Sequence, residues 1–236
     1  MLMGESILIK GVWFFVLCAS QMLPWLLVML FNGSIHNDIL WGLGAVLFIL
    51  IVMIMNYFVK EFSWRQLGFR YVRHRWSLLI SGWMIGCIGF GLVAWLKWVF
   101  NGYTYLSFVP IKEITAIMGP VLLMTLYIAF SEELIFRGFL LPVLGNYVSM
   151  SLAIVSSSLL FVLFHLPKWE ALIHTPYALY LFIAGCFYGL AFVLTNSIWL
   201  SLGLHWGWNV GAFALFEFQQ PILKIENQVT SSWSAA

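Results

Sequence analysis

Apolar residues run through this chain in long uninterrupted stretches, separated by short polar breaks. Two-residue alternation, the mark of a half-buried strand, is rare. A helix needs about 20 apolar residues to cross the hydrocarbon of a bilayer. On that ruler the pattern predicts about seven spans, with a range of six to eight, at residues 7–31, 39–59, 77–100, 114–141, 148–166, 177–195 and 197–218. The last two are separated only by the turn Thr195-Asn196-Ser197. A closed β-barrel is the other way to satisfy a backbone in lipid, but its strands would alternate in short segments. The expected fold class is all-α, a polytopic transmembrane helical bundle.

Composition strengthens this reading. Of 236 residues, 63% are apolar and 8% charged, whereas soluble domains run nearer half apolar and a quarter charged. Lipid must therefore cover much of the surface. A net charge of +2 offers no footprint for nucleic acid. Cys18, Cys87 and Cys186 sit singly in apolar runs, which favours inert thiols over a disulfide framework or metal cluster. Lys60, Arg65, Arg70, Arg73 and Arg75 form the strongest basic cluster, between the second and third spans. By the positive-inside rule that loop and the N-terminus are cytoplasmic, and the same cluster suits contact with anionic lipid. Glycines recur four apart at Gly203, Gly207 and Gly211, at Gly185 and Gly189, and at Gly82 and Gly86. Such ridges let helix backbones approach closely in lipid.

Against this background a few polar residues demand a reason, since a charge at mid-membrane costs about 2.5–3.5 kcal/mol on insertion scales. Glu132, Glu133 and Arg137 lie in one span, His165 in the next, and His205 with Asn209 in the last. Glu133 and Arg137 are four apart and can pair along a helix. Glu132 is rotated by about 100° and points elsewhere, which leaves it available as a general base for water. His165 could orient that water. His205 and Asn209 share a face, one turn apart and roughly opposite the glycine ridge, and could donate to a developing oxyanion. His36, His74 and His174 fall in expected loops and are assigned no chemistry.

Glu132-Glu133-xxx-Arg137, Phe161-xxx-His165 and His205-xxx-Asn209, in that order on successive helices, resemble the CPBP family. That family comprises CAAX proteases and bacteriocin-processing or self-immunity proteins, also called Abi proteins. The resemblance covers residues 114–218 and implies a catalytic core there, preceded by N-terminal transmembrane helices (1–113) and followed by a tail (219–236). It implies an intramembrane endopeptidase acting on a lipidated or membrane-associated peptide in a membrane, with no cofactor. Glu132 and His165 would then activate water, His205 and Asn209 would form the oxyanion site, and Glu133 with Arg137 would support it. A zinc alternative would use Glu132, His165 and His205 as ligands and leave a fourth position for water.

One expectation strains this picture. At full length, the fifth span carries His165 near its outer end, while Glu132 and His205 sit nearer the cytoplasmic side. The spans must be tilted, displaced or broken for the three to meet. The compact chain suits a bacterial cytoplasmic membrane. The competing reading, from a different class, is a non-catalytic bacteriocin-immunity or scaffold protein. An ion or proton pathway is a third use for intramembrane Glu and His, weakened by the absence of an inverted repeat.

Overall fold

The structure, a computed structural model, describes residues 3–31, 37–58, 63–69, 72–101, 105–165, 177–217 and 223–226. Every expected span has a helical counterpart. The first is a pair, α1 (Met3–Gln21) and α2 (Leu23–Phe31), followed by α3 (Asn37–Phe58) and α4 (Val72–Asn101). The fourth is α5 (Ile111–Glu133), which continues through a π-helical segment (Leu134–Leu140) into α6 (Leu141–Gly145). Then come α7 (Met150–Phe164), α8 (Tyr177–Thr195) and α9 (Ile198–Ala212), the last extended by a π-helical turn (Phe213–Glu217). Among the described residues, four segments are long and apolar enough to cross a membrane: Ile39–Tyr57, Arg75–Phe100, Ile111–Gly145 and Tyr177–Thr195. The α1–α2 pair, bent by 42°, makes a fifth if taken as one span. Apolar side chains such as Met29, Ile88, Leu123 and Leu194 face outward, as an integral membrane protein requires.

The first span breaks because Pro24 has no N–H to continue the ladder. The hydroxyl of Tyr127 on α5 donates to the Gln21 carbonyl at this break, at 3.2 Å. A Cβ on Gly44 would lie 2.6 Å from the Pro24 backbone, so a glycine is what lets α3 pass the break.

Two glycine seams set the positions of the last helices. Gly82 and Gly86 of α4 interleave with Gly203, Gly207 and Gly211 of α9. A Cβ on Gly82 would lie 2.6 Å from the Leu200 carbonyl oxygen, and one on Gly207 would collide with that of Trp83. On α8, Gly185 and Gly189 press against Ser158 and Ile154 of α7. Close backbone approach is the main source of cohesion here, because lipid gives helices no hydrophobic reason to associate. The larger core lies beside these seams, where Leu17, Phe48 and Met55 pack with Leu134, Phe136, Phe139 and Phe161.

The described part of the basic loop, Ser63 to Phe69, leaves Trp64, Arg65 and Gln66 exposed but touches the bundle at its end: Leu67 is fully buried, and Phe69 packs its ring against Phe130 and Trp199. Gly68 adopts φ +90, which suits only glycine without strain, and its carbonyl accepts from the first amide of α9, Ile198, at 3.2 Å. Lys60, Arg70, His36 and His174 lie outside the described residues, as do the side chains of Arg73 and His74.

The Asn196 turn is as short as expected, with Asn196 at φ 48 and the buried Ser197 hydroxyl capping α9 through the Trp199 amide, at 3.4 Å. Two differences from the sequence reading are local. Residues expected as loop and tail form an antiparallel pair, β1 (Tyr105–Phe108) with β2 (Leu223–Glu226). Four-residue strands are too short to leave a periodic signal. The fifth span is also shorter than expected. The 15 residues of α7 rise about 22 Å, less than the ~30 Å hydrocarbon.

Candidate active site

Glu132 and Glu133 end α5, and the π-helical segment begins at the next residue. Its last closure runs from the Leu141 amide back five residues to the Phe136 carbonyl, just before Pro142, which has no N–H to offer. The Ser157 hydroxyl of α7 donates to the same Phe136 carbonyl at 3.1 Å. Gly138, next to Arg137, lies against the carbonyl oxygen of Leu67, where a Cβ would come to 2.8 Å. The widened turn is thus held by α7 on one side and by the buried Leu67 on another. Such π-turns concentrate at functional sites.

Four polar side chains meet at this point, all nearly inaccessible: Glu132, Glu133, Arg137 and His205. Arg137 Nη1 lies 3.0 Å from Glu133 Oε1, and Arg137 Nη2 donates to the Gly185 carbonyl of α8 at 3.2 Å. His205 Nδ1 lies 3.0 Å from the same Glu133 Oε1. His205 Nε2 lies 3.5 Å from Glu132 Oε2, at the limit of hydrogen bonding. Glu132 therefore does not point away from its neighbour's partners. The two carboxylates approach one imidazole from its two nitrogens.

Hydrogen-bond chemistry fixes part of the proton arrangement. An ionised carboxylate only accepts, so Nδ1 of His205 carries a proton toward Glu133. A hydrogen bond between Nε2 and Glu132 would need one further proton, on either partner.

Rings enclose the cluster. The guanidinium of Arg137 lies 4.8 Å from the Phe161 ring centroid and 5.2 Å from that of Tyr188. The imidazole of His205 stacks on Tyr188 at 4.7 Å with 15° between planes, and meets Phe161 edge-on at 6.1 Å.

His165 is the C-cap of α7. Its Nδ1 lies 2.8 Å from the Phe161 carbonyl; a carbonyl only accepts, so this nitrogen bears a proton. Among the described residues no hydrogen bond or ion pair joins His165 to Glu132. Phe161 instead links His165 to His205, its ring centroid lying 4.8 Å from the first imidazole and 6.1 Å from the second. Asn209 is half-buried, one turn beyond His205 on α9.

Among the described residues, no three of His, Cys, Asp or Glu converge at metal-binding distance. Glu132 and His205 are close, but the third residue of the zinc alternative, His165, is not gathered with them. The three-ligand set does not fit this arrangement. Sequence motifs also omit two contributors from α8, the Gly185 carbonyl and the Tyr188 ring. Their signal was present: the Gly185/Gly189 ridge identifies the inward face of α8, and Tyr188 lies beside it.

Residues 114–211 match the family model described as Type II CAAX prenyl endopeptidase Rce1-like. Neither a curated protein nor a solved structure gives a significant match to the chain.

Proposed function

We propose, taking as premise that residues 114–211 form an Rce1-like CAAX endopeptidase core, that this integral membrane protein hydrolyses a peptide bond by glutamate-activated water. The observation that carries the reading is the buried chain Arg137–Glu133–His205–Glu132, which lies wholly inside the matched segment. In this reading Glu132 takes a proton from water as the oxygen attacks the scissile carbonyl. His205 Nε2–H and the Asn209 carboxamide donate to the oxyanion. Collapse of the tetrahedral species breaks the C–N bond, and Glu132 returns its proton to the leaving amine. His165 orients the water through Nε2. Glu133 holds the His205 tautomer, and Arg137 holds Glu133. The substrate is a lipidated or membrane-associated peptide reached within a bacterial cytoplasmic membrane, with the basic loop and N-terminus on the cytoplasmic side.

The test compares wild type with Glu132→Gln, both purified in detergent, on a panel of prenylated and leader-type peptides, each with and without a strong chelator. Expected is cleavage by wild type that Glu132→Gln abolishes and the chelator spares. Loss to the chelator, restored by zinc, would overturn the metal-free step. Absence of any cleavage, with both proteins equally protective in cells, would favour the immunity or scaffold role.

A further inference from the structure

Tyr188 stands outside the polar motifs, yet its ring is nearer to the His205 imidazole than that of Phe161. It is buried on the ridge side of α8, three residues after the carbonyl that receives Arg137. Its ring and the His205 imidazole lie nearly parallel at 4.7 Å, while Phe161 meets the same imidazole at 86°. Arg137 lies over the Tyr188 ring too. One aromatic ring therefore touches both the guanidinium and the imidazole of the cluster.

We propose that Tyr188 is a positioning residue for the hydrolytic reaction, holding the His205 imidazole in the plane where Nδ1 meets Glu133 and Nε2 meets Glu132. The torsion between an imidazole and its Cβ is broad and two-fold, so the side chain alone does not select this plane. The bond to Glu133 fixes one ring nitrogen but leaves rotation about that contact. A flat ring 4.7 Å away removes that freedom, and its electron-rich face attracts cationic character on both neighbours. Displacing Nε2 by a fraction of an ångström would lengthen a contact already at 3.5 Å.

The inference rests on the peptidase reading for turnover, so its test has a second arm that does not. The full chain in detergent carries Tyr188→Phe, which keeps the ring, or Tyr188→Met, which keeps similar volume without one. Tyr188→Met should lower kcat by about ten- to a hundredfold, as expected when a reacting group is misplaced, with KM little changed. Tyr188→Phe should restore wild-type kcat. In parallel, 15N-histidine NMR follows the His205 ring, assigned by its disappearance in His205→Gln. A single ring state should persist in wild type and Tyr188→Phe and become broadened or multiple in Tyr188→Met.

Wild-type kcat in Tyr188→Met, or an unchanged His205 signal there, would overturn the proposal. So would a loss in Tyr188→Phe as large as in Tyr188→Met, because the hydroxyl and not the ring would then be acting. Should Tyr188→Met not accumulate folded, Tyr188→Leu takes its place, and the Tyr188→Phe arm decides independently. If wild type cleaves no peptide, the peptidase reading fails while the NMR comparison still decides whether Tyr188 holds the ring.

Discussion

Removing the Glu133 carboxylate is the sharpest perturbation of this cluster. Oε1 of Glu133 is shared by Arg137 Nη1 and His205 Nδ1, each at 3.0 Å. Glu133→Ala would leave a guanidinium 1% exposed with one backbone carbonyl at 3.2 Å and the faces of Phe161 and Tyr188. Its Nε has no hydrogen-bond partner among the described residues. The ring contacts already exist in wild type and offset nothing new. Stranding one member of a buried ion pair costs about 3–5 kcal/mol, well above the ~0.6 kcal/mol average for neutral hydrogen bonds between membrane helices. Unfolding by SDS in mixed micelles should show that loss. Glu133→Ala combined with Arg137→Met should be more stable than the single variant by about 2 kcal/mol or more, because no charge is then stranded. Turnover should remain low in both, since His205 has lost its anchor. A single variant within about 0.5 kcal/mol of wild type, the range of an ordinary surface change, would refute the reasoning. A double variant no more stable than the single one would do the same.

Two further outcomes follow from the packing and the site. Gly207→Leu should drive a side chain into the Trp83 backbone, destabilise by at least about 1–3 kcal/mol and abolish turnover by moving His205; Gly119→Ala, where nothing lies within 4 Å, should leave thermal unfolding and activity intact. Asn209→Ala should lower kcat by about a hundred- to a thousandfold, the effect of losing an oxyanion donor, with an unchanged melting profile; full turnover would remove Asn209 from the mechanism.

Class and span order could be read from the chain because they follow from composition and local length. A run of apolar residues in lipid has only one simple backbone solution, so the seven helical segments and the tight Asn196 turn were legible in one dimension. The i,i+4 pairing of Glu133 with Arg137 is equally local, and so is the opposition of the α9 glycine ridge to His205 and Asn209.

Other features depended on contacts between segments distant in the chain. Helical rotation alone sends Glu132 away from Glu133; His205, arriving 72 positions later, offers two nitrogens and so gathers both carboxylates. Where α7 ends, and thus the depth of His165, cannot be judged by hydropathy, because protein as well as lipid can surround an apolar residue. The burial of Leu67 and Gly68 against Gly138 and Ile198, within a loop whose charges suit a membrane surface, is likewise a matter of tertiary contact. Tyr188 shows the same limit: a tyrosine in an apolar run reads as filler until the fold sets it against an imidazole. Sequence specified which groups must avoid lipid, and the tertiary structure decided which of them face one another, because a buried charge is stabilised by partners that no single helix can supply.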